Sequence, residues 1–234
     1  MVDYVKRPSS PPASTPPAST PPAGPASGGG VSLSKVTLTK SAPSVSLAKG
    51  SGASGLMRVN LSWNARPESS GGGGFLKKLA GGNRGIDLDL GCLYELADGR
   101  KGVIQALGNA FGALDKAPYV LLDGDDRSGG GGENLSINLD RLSDIRRLLV
   151  FAFIYDGVPA WDKADGVVTL HPQGAAPIEV RLDESSGSRM CALALLENRG
   201  GSLVVNREVK YINGAQDALD RAYGWGMDWA PGRK

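Results

Sequence analysis

Two groups of acidic residues have types and spacings that could do chemistry. Asp87 and Asp89 stand two apart in the alternating stretch Ile86-Asp87-Leu88-Asp89-Leu90. A β-strand over this stretch would place both carboxylates on one face and the hydrophobic residues on the other. Two like charges side by side are unfavourable unless solvent or a cation separates them. The first group therefore favours a site for a cation.

The second group is an acidic stretch that is rich in glycine. It begins at Asp123, continues through Asp125 and Asp126, and reaches Glu133 after four consecutive glycines. Such a loop can fold back and offer both side-chain and backbone oxygens, and Ca²⁺ accepts roughly six to eight oxygens in variable geometry. Asp156 ends a long hydrophobic stretch and is expected at the same end of a sandwich. Together these acids predict a calcium site.

Known loop and catalytic motifs do not account for these residues. In an EF-hand that started at Asp123, the fifth and sixth positions would be Arg127 and Ser128, where a ligand and a glycine are needed. Neither glycine run precedes Lys-Ser or Lys-Thr, so neither is a phosphate-binding P-loop. His171 is the single histidine, and no Gly-x-Ser-x-Gly motif is present, which argues against zinc sites with several histidines and against a hydrolytic triad.

Short alternating stretches separated by turn residues surround the acids. This pattern predicts an all-β sandwich with one or two short helices. One stretch, Leu148–Tyr155, lacks polar alternation and is expected to be a central strand buried on both faces. The other predicted strands lie within Val31–Leu38, Leu56–Trp63, Ile86–Leu90, Tyr119–Leu122, Leu135–Leu139, Gly166–Leu170, Ile178–Leu182, Cys191–Glu197 and Leu203–Tyr211, and the predicted helices are Pro159–Ala164 and Ala215–Ala222.

The N-terminal residues differ in composition from the rest of the chain. Residues 1–30 are rich in Pro, Ala, Ser and Thr, and the unit Pro-Pro-Ala-Ser-Thr occurs at 11–15 and again at 16–20. Such a segment cannot bury apolar area and is expected to be a disordered spacer, partly in polyproline II conformation. Residues 31–234 are predicted to form one folded domain.

The bulk composition limits the function classes. Of 234 residues, 41% are hydrophobic, and 26 basic residues nearly balance 24 acidic ones, so no nucleic-acid partner is expected. No hydrophobic stretch approaches the roughly 20 residues of a transmembrane helix, and the N-terminus has no signal-peptide pattern. Cys92 and Cys191 are too few for a disulfide framework and are expected to be buried thiols. We therefore expect a cytoplasmic protein.

Several motifs resemble the tellurium-resistance TerD family. Asp87-Leu88-Asp89-Leu90 is similar to that family's Asp-x-Asp-Leu-Asp strand, and Gly124-Asp125-Asp126-Arg127-Ser128-Gly129 is similar to its calcium loop. The stretch Phe153–Pro159 looks like the family strand that ends in an acid. Met190–Ala194 and the ending Tyr223–Lys234 resemble the TerA branch specifically. The likeness covers residues 31–234.

The resemblance implies calcium ligation and a role in stress resistance. Carried over residue by residue, it implies the ligands Asp87, Asp89, Asp125, Asp126 and Glu133, with Asp123 and Asp156 as additional candidates. The usual loop has more acids than this one, which has Arg127 and four glycines, so one of the family's two calcium sites is expected to be weakened or lost. The implied partners are other tellurium-resistance or TerD-family proteins, or a membrane-associated assembly.

Three interpretations of the acids remain open. The first, which we favour, is a non-enzymatic calcium-binding module whose ordered loops form a surface for protein partners. The second is a C2-like or lectin-like module in which calcium bridges to an anionic lipid or a sugar, with Lys77, Lys78 and Arg84 as candidate basic groups. The third is a hydrolase that uses the same acids around Mg²⁺ or Mn²⁺.

Overall fold

The fold is an all-β sandwich with a few short helices. The structure is a computed structural model, and it describes residues 34–49, 52–63, 86–123, 132–157 and 161–230. The predicted tail of residues 1–30 and the first glycine run lie outside the described residues. Within the described part, no helix is long and apolar enough to span a membrane.

The strands follow the predicted alternation closely in most places. The elements are β1 (Val36–Leu38), β2 (Ser44–Leu47), β3 (Leu56–Ser62), β4 (Asp87–Leu96), β5 (Lys101–Ile104), β6 (Gly112–Ala113), β7 (Val120–Leu122), β8 (Gly132–Asn138), β9 (Ile145–Asp156), α1 (Trp161–Ala164), β10 (Gly166–Pro172), β11 (Ile178–Leu182), β12 (Met190–Arg199), β13 (Ser202–Ile212) and α2 (Gln216–Tyr223). A 3-10 turn precedes β6 and another joins β8 to β9.

The described strands form two sheets. One sheet has the order β1-β11-β10-β3-β8-β7-β6, and the other has the order β2-β13-β12-β9-β4-β5. Every strand pair is antiparallel except β1 with β11. Apolar residues that alternate along the strands fill the space between the sheets; Leu88 and Leu90 of β4 and Leu135 and Ile137 of β8 belong to this core.

The six-stranded sheet is also covered on its other face. Leu149 and Phe151 of β9 pack there with Leu219 of α2 and with Trp225 from the segment that follows α2. β9 lies between β12 and β4, and its residues 148–152 are all buried. The prediction of a central strand buried on both faces is therefore confirmed.

Three short strands carry no strong sequence signal. β2, β5 and β6 have at most four residues each, and they lie at or beside sheet edges, where pairing with a neighbour determines the conformation. β4 extends six residues beyond the predicted Leu90, because β9 and β5 pair with its second half. His171 lies in strand β10, opposite Arg58 of β3, and not in a turn.

Candidate functional site

The start of β4 meets the end of β9, and this brings two of the predicted acids together. Asp87 and Asp156 are direct register partners in this antiparallel pair. The register then shifts, so that Leu88 lies opposite Ile154 and Tyr155 is the extra residue of a β-bulge. The prediction that Asp156 emerges at the same end of the sandwich as Asp87 is confirmed.

Two contacts join the sheets at this same end. The indole Nε1 of Trp63, just after β3, donates to the carbonyl of Ile86, just before β4, over 2.8 Å. Glu133, at the start of β8, is only 6% exposed and accepts a hydrogen bond from the backbone N–H of Leu90. A carboxylate held by a backbone N–H has a defined position. Glu133 therefore lies between the sheets and beside β4.

Asp123 lies on the other side of β8. It directly follows β7, and its backbone N–H donates to the carbonyl of Asn134 over 2.9 Å. Its carboxylate is 3.4 Å from Nη2 of Arg58, and both side chains are more than a third exposed. An exposed pair of this kind contributes at most about 1 kcal/mol. A neighbouring amide pair, in which Asn60 donates to Asn134 Oδ1 over 2.9 Å, adds oxygen atoms that the sequence did not single out.

The described acids share one end of the sandwich but not one face. Leu88 and Leu90 point into the core, so the alternation places Asp87 and Asp89 on the outer face of the six-stranded sheet. Asp123 lies on the outer face of the seven-stranded sheet, since Leu122 before it points inward. Within the ranges that the structure describes, no three His, Cys, Asp or Glu side chains are grouped closely enough to hold a metal ion.

The loop between β7 and β8 therefore determines whether the acids can act together. Asp125 and Asp126 belong to residues 124–131, which lie outside the described residues. The loop starts at Asp123 and returns at Gly132, next to Glu133. Carboxylate and amide oxygens are the donors that Ca²⁺ prefers. The donor chemistry at this end fits calcium, but the described residues alone do not complete a cation site.

The opposite end of β4 carries a buried acid with a purely structural environment. Glu95 is 3% exposed and receives hydrogen bonds from Arg147 Nε at 2.6 Å and Arg146 Nη1 at 2.9 Å. Burial raises the pKa of Glu95, but the hydrogen bond and charge of Arg147, together with the charges of Lys101 and Arg146, outweigh burial and hold this pKa below its ordinary value. Glu95 is therefore held in its charged form by Arg147 and Arg146, and it fixes the position of both side chains.

The thiols offer no accessible nucleophile or metal ligand. Cys92 and Cys191 are both free and fully buried, as predicted. Burial raises the pKa of each thiol far above its ordinary value. Metal-binding and nucleophilic chemistry of cysteine requires the thiolate, so neither residue is available for it in the folded protein.

Comparisons with known proteins place the chain in context. No protein-family model matches it. Over 198 residues, 83% of its length, the chain is 51% identical to the tellurium resistance protein TerA of Alcaligenes sp, and it spans only 57% of that protein. Among solved structures it is similar to an unknown function protein, SAV2460, with a TM-score of 0.51 and 16% identity over 78% of this chain and 99% of the other. A homologue of telluride resistance protein (TerD), SCO6318 from Streptomyces coelicolor A3(2), gives a TM-score of 0.49 and 18% identity over 74% of this chain and 99% of the other.

Proposed function

This chain is a relative of the tellurium resistance protein TerA, as the sequence motifs predicted, and from that premise we propose that it is a calcium-binding, non-enzymatic module of a tellurite or stress-resistance system. In this proposal Ca²⁺ orders the acidic loops at one end of the sandwich. The ordered loops then form a surface for protein partners, which include other tellurium-resistance proteins. The setting that we propose is the cytoplasm.

One observation carries the proposal. The strand register pairs Asp87 with Asp156, and the hydrogen bonds Trp63–Ile86 and Glu133–Leu90 bring Glu133, which follows the acidic stretch, to the same end of the sandwich. The candidate ligands are the carboxylates of Asp87, Asp89, Asp123, Asp125, Asp126, Glu133 and Asp156. Asp123 lies on the opposite outer face from Asp87 and Asp89, so it would not share an ion with them. A divalent cation supplies a hard positive charge that offsets repulsion among these carboxylates.

The two groups of acids differ in how the chain presents them. Asp87 and Asp89 lie on a ten-residue strand whose apolar residues are buried in the core. The second group lies in a stretch with four consecutive glycines, and glycine permits the backbone conformations that a fold-back around an ion requires. Ca²⁺ accepts ligands in variable geometry, so it suits this combination.

Hydrogen exchange measured by mass spectrometry tests the ordering of the loops directly. The proposal predicts that Ca²⁺ slows amide exchange in peptides that cover residues 124–134 and 86–90, and that an Asp87→Asn, Asp125→Asn double variant loses the effect. Asp98 and Asp115 are exposed acids in turns at the opposite end, so an Asp98→Asn, Asp115→Asn variant is the matched control. Equal exchange with and without Ca²⁺ in the parent protein would contradict the proposal.

The same purified protein separates a module from an enzyme. A module shows a preference for Ca²⁺ and no turnover of phosphoester substrates. Turnover that Mn²⁺ or Mg²⁺ stimulates, and that the Asp87→Asn, Asp125→Asn variant loses, would instead make the acids a hydrolytic metal site. Co-sedimentation with anionic liposomes, with and without Ca²⁺, tests the lipid-binding interpretation.

A further inference from the structure

A second charged site lies in the seam between the sheets, on the side of the edge strands β1 and β2. A cavity of about 330 Å³ opens there, lined by residues of β1, of β11 and of the segments that follow them, together with Arg207 of β13. β11 and β8 are three strands apart in the seven-stranded sheet, which is roughly 14 Å at the usual strand spacing. The register through β10 and β3 puts the end of β11 at the same end of the sandwich as Gly132, so the cavity is separated from the acidic residues sideways, across the sheet.

Arg207 is a buried charge at a position where the pattern would place an apolar residue. Leu203 and Val205 precede it on the same strand and point into the core, and the alternation directs Arg207 inward with them. Its side chain is only 9% exposed. Burying a guanidinium is costly unless its charge is paired and its donors are satisfied. A residue of this kind needs a physical reason for its position.

The contacts of Arg207 leave much of its donor capacity unused. Nη2 lies 3.3 Å from Glu184 Oε1 and 3.9 Å from Asp183, whose own side chain is 68% exposed. In the part of the chain that the structure describes, Nε and Nη1 of Arg207 make no hydrogen bond, and neither is a buried atom without a partner, so both reach the solvent. An arginine has five N–H donors in a planar fork that matches phosphate and carboxylate groups. The free donors belong to a side chain that lines the cavity.

The carboxylate of Glu184 shows where an anion can contact the basic residues of the cavity. Glu184 Oε1 lies 3.1 Å from Nζ of Lys40 as well as 3.3 Å from Arg207, so one oxygen bridges two cations. Arg181 also lines the cavity, but its Nε is paired with Glu179 at 3.1 Å, so Lys40 and Arg207 are the cations that an anion would meet. Burial raises the pKa of Glu184, but the hydrogen bonds and charges of Lys40 and Arg207 outweigh it and lower this pKa.

We propose that this cavity binds a small molecule that carries an oxyanion group, a phosphate or a carboxylate, on Arg207 and Lys40. The oxyanion takes up the unused donors of Arg207 next to the bridging position of Glu184, and Thr37 and Thr39 line the same cavity. An inorganic ion would fill only part of 330 Å³, which is within the range of small-molecule sites, so the natural ligand has an organic remainder.

Side-chain NMR of the calcium-depleted protein tests this proposal with inorganic phosphate and acetate as probes. At constant ionic strength, phosphate or acetate should produce a saturable shift of the Arg207 Nε–H signal and of the backbone signals of Lys40 and Glu184, while chloride should not. The two probes show which oxyanion the cavity prefers. Calcium is removed on a chelating resin, so the result does not depend on the acidic loops.

Matched variants decide whether the response comes from the cavity. Lys40 is 74% exposed, so Lys40→Met should fold normally and weaken binding about tenfold, as expected for loss of one charge-assisted contact. Lys116 is an exposed lysine in the turn between β6 and β7, at the other edge of the seven-stranded sheet, and Lys116→Met should bind like the parent. Arg207→Lys keeps the charge but removes the fork, and it should also weaken binding. No saturable shift with either probe, or unchanged binding by Lys40→Met, would overturn the proposal.

Discussion

Replacing Trp225 by alanine should destabilise the whole domain, because this residue attaches the C-terminal segment to the six-stranded sheet. Its side chain is completely buried, and its indole Nε1 donates to the carbonyl of Tyr94 over 3.0 Å. The guanidinium of Arg147 lies over the ring at 3.9 Å from its centre, and Lys101 donates to the backbone carbonyl of Trp225. The segment is therefore held by packing, by a cation–π contact and by hydrogen bonds.

The magnitude follows from these contacts. Truncation of a buried tryptophan to alanine costs about 3–5 kcal/mol, including the cavity that remains. For a domain of this size, about 4 kcal/mol corresponds to a fall in melting temperature of roughly 8–16 °C. Trp225→Phe keeps an aromatic ring under Arg147 but leaves the carbonyl of Tyr94 without its donor, so it should cost only about 1–2 kcal/mol.

Urea unfolding of the parent and of both variants measures these free energies. Trp229→Ala is the matched control, because Trp229 lies four residues further on, is only half-buried, and donates its Nε1 to Asp220 of α2. The expected order of destabilisation is Trp225→Ala, then Trp225→Phe and Trp229→Ala at lower values. A free energy of unfolding for Trp225→Ala within about 0.5 kcal/mol of the parent would refute the attachment, since that is the range of ordinary surface substitutions.

Further outcomes follow from the charges, the thiols and the proposed ion. Because the pKa of Glu95 is lowered in the folded protein, its ion pairs stabilise the fold above the ordinary glutamate pKa of about 4.3, and this stability is lost as the pH falls through the folded-state pKa. In an acid titration, Glu95→Gln should therefore lose less free energy of unfolding than the parent. Cys92 and Cys191 should react with a thiol reagent only after unfolding, and rapid reaction of the native protein would contradict their burial. Arg58→Ala should change the free energy of unfolding by less than about 1 kcal/mol in urea titration, because its ion pair with Asp123 is exposed. Ca²⁺ at about 100 times its dissociation constant should stabilise the protein by about 2.7 kcal/mol in the same titration, and an unchanged midpoint would argue against binding.

The sequence predicted the strands that have a strong alternating pattern and the acids that they carry. Apolar and acidic residues alternate at the start of β4, and this alternation predicts that Asp87 and Asp89 share one face of a strand. The continuous apolar stretch of β9 predicts a buried strand. The direction of Glu133 was not predictable, since its hydrogen bond to Leu90 depends on how the two sheets pack. Pairwise packing of distant segments leaves no signal in a single sequence.

The charged cavity was also beyond sequence analysis, for a related reason. Arg207 lies in an alternating strand where an inward position would ordinarily be apolar, and its partners Lys40 and Glu184 are distant along the chain. The helix α2, by contrast, was predicted almost to its ends. The contacts of Glu133 and of Arg207 depend on which strands become neighbours in the fold, and a single sequence does not contain that information.

Isothermal titration calorimetry of the calcium-stripped protein with Ca²⁺ tests the central claim most directly. We expect saturable binding in the parent and in the Asp98→Asn, Asp115→Asn control, and no saturable binding in the Asp87→Asn, Asp125→Asn variant. The stoichiometry would show whether one or two ions bind. Absence of saturable heat up to millimolar Ca²⁺ in the parent, or undiminished binding by the Asp87→Asn, Asp125→Asn variant, would contradict the assignment of the acidic end as a calcium site.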